Sequence, residues 1–122
     1  MKRTHHGSRT GGFTLVEIMI VVAIIGLLAT MAMPNIAAAR GKAHRAACIN
    51  NLHQIDSAIQ QWSLEMKKDG AETVTYSDIS GYLRNTVACP SGGSTFADSY
   101  TLTTVDTPPT CQRKPDSHKL PL

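Results

Sequence analysis

The sequence predicts an α+β fold: one long N-terminal helix packed on a small C-terminal region with a short helix and a β-hairpin. Three observations predict it. Residues 13–33 form an apolar run with one charge, Glu17. From Cys48 to Met66, apolar residues return at helical spacing. Beyond Gly70 the chain changes to short segments rich in Thr, Tyr, Ser, Gly and Pro, the composition of turns and edge strands.

The first twelve residues stand apart from the rest. Lys2, Arg3 and Arg9 give the chain its formal charge of +3, and no acid accompanies them before Gly12. From Phe13 onward nine basic residues face nine acidic ones, so no basic stripe for a nucleic-acid partner emerges. A basic leader before an apolar run is held on the cytoplasmic side, which predicts that the C-terminal region lies across the membrane.

Phe13–Met33 is 21 residues long. As a helix it spans about 31 Å, against a hydrocarbon core of roughly 30 Å. A membrane helix is the expectation. An ordinary signal peptide, cleaved near Ala37-Ala38-Ala39, would have a shorter apolar stretch and no carboxylate inside it. Gly26 and Pro34 are the weak points, where a helix break is expected: glycine lowers helix propensity and proline removes the N–H directed at Thr30.

Past Pro34 the helix is expected to continue to Lys68. Cys48, Leu52, Ile55, Ile59, Trp62 and Met66 draw one apolar stripe, and Gly70 suits the position after the helix end. The expected organisation is therefore a leader (1–12), a membrane helix (13–33), its amphipathic continuation (34–68) and a small globular region (69–122). In the last, Thr75 caps a short helix through Leu83, Ser91–Ser94 turns, and strands at Ser99–Val105 and Thr110–Gln112 pair as a hairpin.

Glu17 is the most informative side chain. A carboxylate at the centre of a membrane helix costs about 2.5–3.5 kcal/mol on insertion scales, so an intramembrane acid points to function. Cys89 and Cys111 bracket the expected hairpin, and a disulfide there would stabilise it by roughly 3 kcal/mol. Pairings through Cys48 are the alternatives, as is a zinc site of Cys89, Cys111, His118 and Cys48. The separations match no usual zinc-ligand spacing, so no metal is assigned. Asp98, Asp106 and Asp116 are scattered and show no calcium-loop pattern. With no paired nucleophile and base and no phosphate-binding loop, the chain is read as neither an enzyme nor a cofactor carrier.

Gly12, Phe13, Thr14, Leu15 and Glu17, followed by Pro34 within a long helix, resemble the processing site of type IV pilins and the pseudopilins of type II secretion. The order Cys89-Pro90-Ser91-Gly92-Gly93, Pro109-Thr110-Cys111 and His118 is similar to that of short pilin-like secretion proteins. The resemblance implies that a membrane prepilin peptidase and N-methyltransferase cuts between Gly12 and Phe13 and methylates Phe13. It also implies that Glu17 of one subunit meets the Phe13 amine of the next in a self-assembled filament. The implied partners are an inner-membrane assembly platform and minor subunits. The implied location is the inner membrane, with the N-terminus cytoplasmic, the C-terminal region periplasmic, and the filament in the periplasm or at the cell surface. A pseudopilin supporting protein export is the expected function. The alternatives are a surface pilin and a membrane-anchored binding domain that never polymerises.

Overall fold

The structure, a computed structural model, describes Gly7 and residues 11–121. The leader charges Lys2, Arg3 and Arg9 lie outside the described residues. The chain divides into two units, Met1–Ala37 and Ala38–Leu122.

One helix, α1, runs from Leu15 to Met66. Its first unit holds the apolar run, every described residue of which is exposed. This is the one helix among the described residues long and apolar enough to cross a membrane: its best 18-residue window has a mean hydropathy of 2.6 and is 0% buried. The break expected at Gly26 and Pro34 is absent, and helical backbone continues through both. Proline deletes one rung of the ladder while its neighbours keep theirs. The Thr30 hydroxyl turns back to the Leu27 carbonyl at 2.7 Å, another internal bond at this point.

In the second unit the apolar stripe of α1 is buried as expected. Cys48, Leu52, Ile55, Ile59 and Trp62 join Val74, Ile79, Val87, Cys89, Phe96, Tyr100, Val105 and Cys111 in one core. Met66, expected on that stripe, is exposed. The helix stops two residues before the expected end. Lys67 takes the left-handed conformation (φ 53°), and the Lys68 N–H bonds to the Ser63 carbonyl at 2.9 Å, closing a Schellman turn. Gly70 has a different task. A Cβ there would sit 1.9 Å from the Asp106 carboxylate, whose backbone N–H bonds to the Gly70 carbonyl.

Thr75 precedes helix α2 (Tyr76–Ile79) as expected, its N–H donating to Asp78 Oδ2 at 2.9 Å. A 3-10 turn over Ser80–Tyr82 follows. The expected first strand is divided. Its opening residue Ser99 ends a second short helix, α3 (Phe96–Ser99), capped by Thr95. Strand β1 (Tyr100–Thr101) then pairs antiparallel with β2 (Thr110–Cys111), Tyr100 opposite Cys111. Residues 103–105 leave the hairpin: the Val74 N–H bonds to Thr103 O, the Val105 N–H bonds to Glu72 O, and Thr73 bridges Thr104. A strand drawn from composition alone missed this change of partner.

Candidate functional site

Residues 11–14 are non-helical and exposed, so the Gly12–Phe13 peptide bond lies in open backbone ahead of α1. A Cβ at Gly12 would meet nothing within 4 Å, and Phe13 is 86% exposed. A protease needs extended, accessible chain of this kind.

Glu17 closes the head of α1. The Thr14 N–H donates to Glu17 Oε2 at 3.0 Å, and the Glu17 N–H donates to Thr14 Oγ1 at 3.3 Å. This reciprocal pair is a capping box, which satisfies two of the N–H groups that a helix start leaves without carbonyls. The Thr-x-x-Glu spacing before an apolar run is its sequence signature, and sequence reasoning missed it by treating Glu17 as a lone buried charge. The carboxylate is thus partnered within its own subunit, at the helix end where the macrodipole favours a negative charge. Gly12, Phe13 and Glu17 are near neighbours at one helix start. Gly26 and Pro34 lie farther along α1.

In the second unit the three cysteines and His118 converge. Cys48 comes from α1, Cys89 from the segment before a tight turn, Cys111 from β2, and His118 from the C-terminal turn. The turn after Cys89 is closed by the Gly93 N–H donating to Cys89 O at 2.8 Å, with Gly92 at φ 103°. Side chains are excluded at Gly93, where a Cβ would come within 2.1 Å of Ser99 Oγ and 2.9 Å of the Cys89 backbone. The His118 N–H donates to Lys114 O at 2.8 Å, and Arg45 Nε donates to Ser117 O at 2.9 Å, which together seat the histidine.

The sulfurs of Cys89 and Cys111, the pair expected as a disulfide, lie 3.6 Å apart. His118 Nδ1 faces both, at 3.7 Å from Cys89 Sγ and 4.0 Å from Cys111 Sγ. Tyr100 Oη donates to Cys48 Sγ at 3.8 Å and is itself held by Asn51 Nδ2 at 3.0 Å. Burial pushes the Cys48 thiol up to about 12, and the neighbouring Cys111 and Cys89 thiols add to the rise. Burial also raises the Cys111 thiol, but the Lys114 backbone N–H, Cys48, the Arg113 N–H and Cys89 outweigh it and hold it below the ordinary thiol value. His118 is made less basic, first by burial and then by the nearby Arg45 and Lys114 cations.

The described chain thus combines a membrane-length apolar helix with a capped, accessible start and a small α+β region built on residues 48–62 of that helix. Residues 7–33 match the family described as "Prokaryotic N-terminal methylation motif". The chain is 37% identical over 59 residues to the type II secretion system core protein G of Pectobacterium carotovorum subsp. carotovorum, covering 48% of this chain and 38% of that protein. It is 35% identical over 54 residues to the core protein G of Escherichia coli (strain K12), covering 44% of this chain and 37% of the relative. It is 39% identical over 69 residues to the type IV major pilin protein PilA of Myxococcus xanthus (strain DK1622), covering 57% of this chain and 30% of PilA. The chain therefore spans well under half the length of these relatives. No solved structure matches it. Over the residues matched, motif and relatives make this chain similar to pilins and to type II secretion core proteins.

Proposed function

We propose that the chain is a non-enzymatic filament subunit of the pseudopilin type, supporting protein export through a type II secretion system. The observation that carries this reading is the head of α1. Within the matched motif, an open Gly12–Phe13 bond precedes a capped Glu17, and behind it the apolar helix surface is exposed on every side. In a soluble monomer such a surface would be a liability. In a bilayer, and then among the helices of a fibre, it is buried.

Cleavage after Gly12 on the cytoplasmic face would leave Phe13 with a positive, methylated amine close to the Glu17 carboxylate. In the dry core of a fibre each charge requires a partner. We assign Glu17 of one subunit to the Phe13 amine of a neighbour, a contact that sets register more than it adds stability. The Thr14 cap explains how the carboxylate is tolerated before that neighbour arrives. In this reading the membrane peptidase and N-methyltransferase, the inner-membrane platform and minor subunits are the partners, and the second unit is periplasmic.

Mass spectrometry of the mature protein tests the processing: an N-methylated Phe13 as first residue is the expected result, and an intact Gly12–Phe13 bond would refute it. Deleting the gene then separates the two filaments. Loss of exported proteins from the medium with surface fibres intact supports the pseudopilin; loss of fibres with normal export supports a surface pilin, the reading that the likeness to PilA favours.

A further inference from the structure

We propose that Cys48, Cys89, Cys111 and His118 form a structural zinc site that pins the second unit to its stretch of α1. The four ligand atoms all lie within 4.8 Å of one another, and all four residues are buried. In a tetrahedral zinc site with Zn–S bonds of about 2.3 Å, neighbouring sulfurs stand about 3.8 Å apart. Here the Cys89 and Cys111 sulfurs are 3.6 Å apart, and His118 Nδ1 lies 3.7 and 4.0 Å from them. The donors are thus already arranged around a common centre, in the Cys3His combination of closed structural zinc sites.

A Cys89–Cys111 disulfide accounts for less. It would occupy two of the four groups and leave a buried imidazole nitrogen and a buried thiol facing it without a task. A single zinc ion uses all four. Its surroundings also fit. Tyr100 Oη donates to Cys48 Sγ and Asn51 orients the tyrosine, which is how a metal-bound thiolate is usually supported. On binding, Zn2+ displaces three thiol protons to solvent while the imidazole binds neutral through Nδ1. The resulting centre carries one negative charge beside Arg45 and Lys114.

The ligand spacing of 48, 89, 111 and 118 follows no local motif because each residue comes from a different segment. Such a metal clamps α1, the Cys89 turn, β2 and the C-terminal turn together, in a unit whose core is otherwise small.

The test uses the full chain purified in detergent without added chelator. Elemental analysis is expected to find one zinc per chain, and Co2+ exchange is expected to produce sulfur-to-cobalt charge transfer and the intense visible bands of a tetrahedral centre. Chelator should lower Tm, added zinc should restore it, and reductant alone should leave it unchanged. Cys48→Ser and His118→Ala should lose the metal. His118→Cys should keep it with a stronger charge-transfer band, which guards against variants that merely misfold. A metal-free protein that loses Tm only on reduction, with one free thiol after denaturation, would overturn the site in favour of the disulfide. Stoichiometric zinc that survives both Cys48→Ser and His118→Ala would overturn this ligand set, and a chain with no bound metal and no response to chelator would overturn the proposal outright.

Discussion

Two stretches of one helix obey opposite rules. In residues 15–36 of α1, apolar side chains such as Ile18, Ile25 and Leu28 are more than half exposed; in residues 48–62, Cys48, Leu52 and Ile55 are fully buried. The backbone is helical in both, so secondary structure does not set the difference. What sets it is the pattern: the first stretch is apolar all round, while the second restricts its apolar residues to a stripe that the small domain covers. In the proposed function the first would be solvated by lipid or by copies of the chain, whereas the second packs within its own subunit.

The sharpest way to break this contrast is truncation on both sides of it. Leu52→Ala removes a fully buried side chain and is expected to destabilise the second unit by about 2–5 kcal/mol. Leu27→Ala, in the exposed stretch, should change its unfolding by less than about 0.5 kcal/mol. Denaturant unfolding of the full chain in detergent, followed by Trp62 fluorescence, measures both. Equal losses would mean that the two stretches form one cooperative structure.

A second comparison uses glycines. Gly93→Ala places a Cβ against Ser99 Oγ and the Cys89 backbone, so the turn must open. A loss of about 1–3 kcal/mol in the same unfolding assay is expected. Should the proposed zinc bind, affinity should fall with it, because Cys89 is carried by this turn.

Much of this division was legible in the residues. The spacing of Cys48, Leu52, Ile55, Ile59 and Trp62 identified the buried stripe because periodicity reports directly which helix face is covered. The membrane-length run was equally plain. The errors have a common cause, which is that they depended on partners remote in sequence. Gly70 looked like a helix cap but makes room for Asp106. Residues 103–105 looked like more of a hairpin strand but bond to Glu72 and Val74. Cys48, Cys89, Cys111 and His118 were named as a possible zinc set and set aside, because spacing rules recognise ligands grouped along the chain and these four converge only through folding. The Thr14–Glu17 box was different: its signal was local, and the charge of Glu17 drew attention from its spacing.

Acid titration probes a helix start in the second unit. The Thr95 N–H, the Ser94 hydroxyl and N–H and the Ser99 hydroxyl hold the Asp98 carboxyl well below the usual carboxylate range. Its pKa is lower folded than unfolded, so the stability it lends is complete above the unfolded value of about 3.9 and is lost as pH falls toward the folded one. Asp98→Asn should therefore flatten the acid limb of the Tm profile while changing Tm near neutrality much less than Leu52→Ala does. An unchanged acid limb would show that this cap does not govern acid stability.

A last comparison lies back in the exposed stretch. A Cβ at Gly26 meets nothing within 4 Å, so Gly26→Ala adds a better helix former without any clash in the isolated subunit. By propensity alone it favours the helical state by about 0.8–1 kcal/mol. If the subunit keeps the same continuous helix in the fibre, assembly should be unaffected or slightly improved. If packing in the fibre requires the backbone to open or approach closely at this point, the same substitution should reduce filament yield while leaving membrane insertion and N-terminal processing intact. Comparing processed subunit with assembled fibre in Gly26→Ala cells separates these outcomes. It would show whether the glycine belongs to the helix of the single molecule or to contacts that exist only between molecules.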